Sequence, residues 1–340
     1  MLIKHPVWQA RIHRFRRNRL GFFSLIMFSL IFLACMGANL IANDKPMLVN
    51  YQNHWYFPIV KSYPETTFGG VFETETNYQD PVVKDLINQH GYMIEPVIPF
   101  ADQTPSVMRS VPFPAPPNAQ NWFGTDDQGR DVLARVLYGL RVSLLFGLAL
   151  TVAGSIIGIA VGAVQGYFGG WTDLVGQRLM EVWGGLPQLF MIIILVSLFS
   201  PSVFVLFGLM LLFGWMGLVG LVRAEFLRAR NFDYVRSAKA MGVSDAKIMF
   251  RHILPNAMSS SLSQLPFILT ANITALTTLD YLGYGLPAGS PSLGELISQG
   301  KDNLDSPWLA LAGFFSLTIV LSLLIFIGEA LRDAFDPRQS

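Results

Sequence analysis

Asp233-Tyr234-Val235-Arg236-Ser237-Ala238-Lys239-Ala240-Met241-Gly242, followed at a distance by His252-Ile253-Leu254-Pro255-Asn256, lies between two long apolar stretches of this chain. Tyr234 to Met241 are good helix formers, and Asp233 suits the N-cap, where a carboxylate accepts a free backbone N–H. Gly242 is placed to end that helix, because glycine adopts the left-handed C-terminal conformation without a Cβ penalty. Ser244 or Asp245 can cap a second helix through Phe250, and Pro255 forbids simple continuation and re-aims the chain. The expectation is two short amphipathic helices lying across one end of a helical bundle. Ser237, Ala238 and Ala240 form a ridge of small side chains suited to seat in a partner's groove. The same basic helices also suit a position on lipid headgroups, and composition leaves both readings open.

The flanking stretches are those of a membrane protein. Of the 340 residues, 52% are hydrophobic and 14% charged, against about 25% charged in a soluble domain. Mean hydropathy is +0.43. The apolar residues are clustered into runs, and a spanning helix needs about 20 of them in sequence. Net charge is +1, which offers nothing for nucleic acid. The single cysteine, Cys35, excludes an intrachain disulfide, and no Cys/His cluster has metal-ligand spacing.

Residues 1–21 are basic and contain no acid; residues 22–42 form a first span. A basic flank before an apolar run also outlines a signal peptide. The run exceeds the usual core of about 7–15 residues, and Phe32 stands three before Cys35 where a cleavage box needs a small aliphatic side chain. Residues 43–139 are a polar insert with eleven acids against six bases. Its aromatics Tyr51, Trp55, Tyr56, Phe57, Tyr63, Phe68, Phe72 and Tyr78 are candidates for a small core, without the periodicity that would define a fold. The proline-rich run 111–117 is extended, since each proline biases its predecessor away from helix. Five further spans fall near 142–165, 187–199, 203–222, 259–282 and 308–328, the third beginning earlier, around Leu179. The fold expected is an all-α polytopic membrane protein of six helices, with a core over 140–340 and an inter-span loop at 227–256. Lys and Arg accumulate in cytoplasmic loops. The basic N-terminus and the basic loop 227–256, an even number of crossings apart, therefore both fall in the cytoplasm with the C-terminus, and the acidic insert falls in the periplasm.

Within the second span Gly147, Gly154, Gly158, Gly162 and Gly166 make a stripe that lets helix backbones approach. A contact between helices of this chain and a pathway-lining stripe are both open.

Several motifs resemble permease subunits of ABC importers. Arg236-Ser237-Ala238 with Gly242 and His252-Ile253-Leu254-Pro255-Asn256 is similar to the coupling, or EAA, loop of that family. Arg236 departs from the glutamate many members carry, which removes any salt bridge made there. Phe123-Gly124-Thr125-Asp126-Asp127-Gln128-Gly129-Arg130-Asp131, Gly166-Tyr167-Phe168-Gly169-Gly170-Trp171 and Gly328-Glu329-Ala330-Leu331-Arg332-Asp333 resemble the second permease of peptide importers, the DppC/OppC type. The long insert is closest to the branch serving microcin C and peptides. The resemblance covers about 122–340. It implies the type I permease fold in the bacterial inner membrane, a sister permease in heterodimer, ABC ATPase subunits that bind ATP and Mg, and a periplasmic solute-binding protein. It also implies import of peptides or peptide-like compounds, with nickel or another small solute as the alternative. The ATPase-coupling residues are then Asp233, Tyr234, Val235, Arg236, Ser237, Ala238, Gly242, His252, Leu254 and Pro255. No catalytic residue, cofactor or metal is assigned to this chain itself.

Other classes fit less well. A phosphate loop needs G-x-x-x-x-G-K-[ST]; the nearest stretch, Gly294 to Lys301, has one residue too many and Asp302 in place of the hydroxyl. A membrane hydrolase needs a nucleophile beside a base, and only His252 of the five histidines lies in a motif. Secondary transporters bury charges mid-membrane, and the middles of these spans hold almost none. Asp280, beside Gly283 and Gly285, is the acid to watch as a pathway or gate residue, one helical turn from Leu276, where the family often has glutamate. The plainer reading is a solvated acid at a span end. Arg178 and Glu181, three apart, are expected to pair.

Overall fold

The computed structural model describes residues 6–105 and 112–335. The basic segment forms α1 (Pro6–Arg17). Asn18 breaks the chain and caps α2 (Arg19–Met36), accepting the Gly21 N–H through its side chain. The short α3 (Ala38–Ile41) leads into the insert.

The insert departs from the all-α expectation. Strands β1 (Leu48–Tyr51), β2 (His54–Tyr56) and β3 (Gly91–Ile94) form an antiparallel sheet in the order β2-β1-β3. Val49 faces Tyr56 and Met93 across the ladders. Gln52 and Asn53, both at positive φ, make the two-residue hairpin turn, whose twist matches that of paired strands. Strands this short carry too few side chains to print a period of two, so the sheet was not legible as a pattern. Helix α4 (Pro81–His90), capped by Asp80, covers one face. Phe68 is the hub of the core: the rings of Tyr51, Tyr56, Tyr63 and Tyr78 meet it edge-on at 5.3–6.3 Å, the geometry favoured by ring quadrupoles. Trp55, Phe57 and Phe72, also expected in this core, are exposed. In the proline-rich strap, residues 112–117 form no helix or strand, as expected; residue 111 lies outside the described residues.

Helix α5 (Val132–Phe168) begins ten residues before the expected span. Its 37 residues rise about 55 Å, well beyond a hydrocarbon core of about 30 Å, so its first turns project into the insert. Asp131 caps it, accepting the Ala134 N–H at 2.8 Å. The third expected span is a broken helix: α6 (Gly170–Gly184) and α7 (Gln188–Val196) meet at 70°. Gly185 and Pro187 occupy the break, where proline removes a backbone donor. Helix α8 (Val203–Gly214) continues through a 3₁₀ turn, Trp215–Leu218, into α9 (Val219–Ala229). Then come α10 (Asp233–Ala240), α11 (Asp245–Lys247), a π-helical turn at Ile248–Ile253, α12 (Leu254–Leu262), α13 (Leu265–Tyr281), α14 (Leu293–Asp302) and α15 (Pro307–Phe335).

Among the described residues four helices are each long and apolar enough to cross a membrane, and the bent α6–α7 pair makes five when taken as one span. The remaining expected crossing falls on α13, whose 17 residues rise about 25 Å and are extended by α12. The glycine stripe of α5 lies against helices of this same chain. A Cβ on Gly158 or Gly162 would stand 2.4 Å from the Trp215 carbonyl oxygen or 2.7 Å from that of Val219. Gly147 faces Leu269 and Ile273 of α13. The stripe is therefore a packing seam.

Candidate functional site

The loop after α9 folds as two helical pieces with a sharp reversal between them. Phe232, extended at ψ 148°, takes the N-cap position of α10, and Asp233 is its first helical residue. Asp233 therefore acts through its charge near the helix's positive end and not as the cap. At the other end Gly242, at φ +76°, donates to the Lys239 carbonyl at 3.0 Å, and Val243 donates to that of Ala238 at 3.1 Å. Those two bonds are the Schellman arrangement, and they require a left-handed residue where Gly242 stands. The glycine stop is as expected. The second piece differs from the expected helix through Phe250. Its α-helical turn ends at Lys247 and gives way to the π-turn. That turn widens the backbone ahead of Pro255, so the proline sits in the first turn of α12 and the helix runs on instead of breaking.

The inner face of the loop is anchored in the bundle. Val235, Ala238, Ile248, Met249 and Ile253 are buried with Tyr167, Val222 and Phe226 of α5 and α9. Ala238 thus belongs to the inner face, so the expected ridge of small side chains is reduced to Ser237 and Ala240, both exposed. Tyr167 donates its hydroxyl to Asp245 Oδ1 at 2.6 Å, and Lys239 Nζ lies 5.9 Å over the Tyr167 ring. Arg223 holds Asp173 through two N–H donors, tying α9 to α6. Gly169, at φ +63°, leaves room for Arg230, whose Nη1 would be 2.1 Å from a Cβ there.

The outer face carries an apolar and aromatic patch that the sequence reading did not single out. Met241 is 76% exposed and Phe250 67%, and Phe232 and Tyr234, also exposed, place their rings 5.9 Å apart. Arg236 is exposed beside them. His252 and Leu254 are half-buried and Pro255 exposed; the His252 carbonyl accepts from the Asn256 side chain at 3.3 Å. Periodicity could have separated the two faces, because Val235 and Ala238 are three apart and share one side of a helix.

At the insert-bearing end the structure corrects the solvated reading of Asp280. Its Oδ1 accepts the Leu286 N–H at 2.7 Å and its Oδ2 the Ser292 hydroxyl at 2.6 Å, so it closes the loop between α13 and α14. Gly285 packs on it, and Gly283 turns the chain at φ +79°. Beside this loop lies a buried ionic cluster that sequence reading missed. Arg130 reaches Asp126 at 2.7 Å and Glu295 at 3.2 Å; Arg135 reaches Glu295 at 2.7 Å and Asp126 at 3.5 Å. Arg135 also donates to the Asp102 and Ser290 carbonyls. Asp126 and Arg130 are within the Gly-Thr-Asp stretch quoted above, and Arg135 follows it by four residues. Glu295 sits in the segment set aside as a chance likeness to a phosphate loop, where nothing local marks it. Burial raises the Asp131 carboxyl above its ordinary range, and the Ala134 N–H and Asn121 amide offset this in part. Arg178 and Glu181 do pair, on an exposed surface, where such a bridge contributes little.

Comparison with known proteins bears on the same segments. The profile described as binding-protein-dependent transport system inner membrane component matches residues 154–340, and that of the N-terminal TM domain of oligopeptide transport permease C matches 7–58. The chain is 55% identical over 335 residues to the inner membrane ABC transporter permease protein YejE of Escherichia coli (strain K12), covering 98% of both chains. It is 50% identical over 361 residues to the peptidoglycan transport system permease protein YejE of Agrobacterium fabrum (strain C58 / ATCC 33970), covering 98% of this chain and 94% of that one. To the oligopeptide transport system permease protein OppC of Bacillus subtilis (strain 168) it is 34% identical over 226 residues, 66% of this chain and 73% of the relative. With a bundle of spanning helices joined along a glycine seam and these matches together, the chain belongs to the family of inner membrane permease components of binding-protein-dependent ABC transport systems.

Proposed function

We propose that this chain is one of two permeases in an ATP-driven importer of peptides or peptide-like compounds such as microcin C. The N-terminus, the loop 227–256 and the C-terminus face the cytoplasm, and the insert faces the periplasm, where a solute-binding protein lands. Two ABC ATPase subunits, which carry the ATP and Mg, dock on the loop. The observation that carries this reading is the two-faced loop: Val235 and Ala238 locked into the bundle, and Phe232, Tyr234, Met241 and Phe250 exposed. A water-facing patch of that kind calls for a partner. A loop rigidly joined to α5, α9 and α12 transmits displacement of that patch into the spans. ATP shifts the transporter only as far as it binds one state better than the other.

Affinity purification from membranes, with identification of co-purifying subunits and an ATPase assay, tests this. Recovery of a second permease and an ATPase is expected. Met241→Glu with Phe250→Glu should release the ATPase while leaving the two permeases together. Recovery of this chain alone, with uptake independent of any ATPase, refutes the reading. Asp280, Gly283 and Gly285 are proposed to shape the pathway's outer gate, because the Asp280 bonds hold the loop between α13 and α14. Asp280→Asn is expected to lower uptake with the complex still assembled; unchanged uptake removes Asp280 from the gate.

A further inference from the structure

At the loop-bearing end of the bundle a cavity of 610 Å³ opens between α1, the start of α2, the α12–α13 junction and the end of α15. Phe15, Phe22, Leu265, Ile327 and Leu331 wall it with hydrocarbon, and Arg11 and Arg16 also line it. Gly21 lets α2 lie against Ala330, whose Cβ would be 2.1 Å from a Cβ at that glycine, so the wall is a close helix crossing. Arg11 also stacks on Phe335, 4.6 Å from its ring centre, which ties α1 to α15. Among the described residues no acid lines the cavity, Arg17 and Arg19 follow directly and are exposed, and residues 1–43 contain no acid.

Size, wall and charge together define the occupant. The volume is within the range of about 300–1,000 Å³ that small-molecule sites occupy. An apolar wall rejects a peptide, whose backbone N–H and C=O groups would find no partner. Hydrocarbon fits it, and guanidinium groups at the end of a membrane bundle recognise phosphate. We propose that this cavity binds one anionic phospholipid of the leaflet in which α1 lies, with an acyl chain between α2 and α15 and the phosphate on Arg11 and Arg16. The acyl chain then rests on Leu262, Leu265 and Pro266, the junction through which α12, coming directly from the loop, enters α13. Bound lipid braces that junction.

The test is native mass spectrometry of the full-length chain, delipidated in mild detergent and titrated with phosphatidylglycerol or phosphatidylcholine of identical acyl chains. One phosphatidylglycerol per chain should be retained, with a preference over phosphatidylcholine of about thirtyfold, roughly fivefold for each arginine. Arg11→Gln with Arg16→Gln should bring the two lipids to near parity, and Leu331→Trp should abolish retention of both. Equal retention of the two lipids by the unsubstituted chain overturns the proposal, and that comparison is decisive whatever the yield of the variants. So does a preference that survives the double glutamine change, or binding undiminished by Leu331→Trp, which places the lipid elsewhere. Retention of neither lipid also refutes it.

Discussion

Arg135 is fully buried, and its charge is tolerable only because Glu295 and Asp126 face it. A buried ion pair adds little net stability over an apolar one, but removing one partner strands a charge at a cost of about 3–5 kcal/mol. Glu295→Leu, leaving Arg130 and Arg135 to share Asp126, should therefore lower stability by about 3 kcal/mol, and Glu295→Gln by less, since its amide oxygen still accepts. Thermal unfolding in detergent distinguishes them; equal midpoints for both variants and the parent would mean the cluster is not a structural tie. Asp131 makes a pH prediction. Its native pKa is raised by burial above an unfolded value of about 3.9. Between those two values the folded state holds the extra proton, so this group's contribution favours folding more as pH falls through the window and opposes folding above it. Asp131→Asn keeps an acceptor for the Ala134 N–H and should flatten that part of the stability–pH curve. An unaltered slope would exclude Asp131 as its source.

Among the helices, the decisive contact is α5 against the 3₁₀ turn and α9. With little hydrophobic drive between helices in lipid, close backbone approach supplies the association. Gly162→Val would put a Cβ 2.7 Å from the Val219 carbonyl oxygen and 3.0 Å from the Val222 Cβ, and neither backbone can yield cheaply. Overpacking of this kind costs about 1–3 kcal/mol, and the loop anchored on α9 should loosen with it. Protease cutting within 227–256 of the purified protein should accelerate, whereas Gly220→Ala on α9, where a Cβ meets nothing within 4 Å, should leave the cutting rate unchanged. Equal cutting in both variants would separate the seam from the loop.

For the whole molecule, the insert and the loop occupy opposite ends of α5, and the insert has its own core around Phe68. Its removal should therefore leave the bundle intact. Deleting residues 46–104 behind a short flexible linker is expected to preserve membrane insertion and association with the proposed sister permease while lowering uptake. Uptake equal to that of the full chain would show that the insert is no part of the delivery surface for the binding protein. Loss of insertion would instead make it a structural part of the bundle.

What the sequence determined alone is what one-dimensional pattern can carry: apolar runs long enough to span, the helix stop at Gly242, the small-residue spacing on α5, and the motifs that place the chain in its family. Each of these is set by neighbours within a few residues, so local physics suffices to read it. Only the tertiary structure decided the rest. It turned Ala238 inward, bent the third span at Pro187, let Pro255 continue a helix through a π-turn, and paired Arg130 and Arg135 with Glu295, 165 and 160 residues away. It built a sheet from strands too short to show a period. Those outcomes depend on which distant surface is available to cover a side chain, and burial and charge pairing act through space, where separation along the chain leaves no trace.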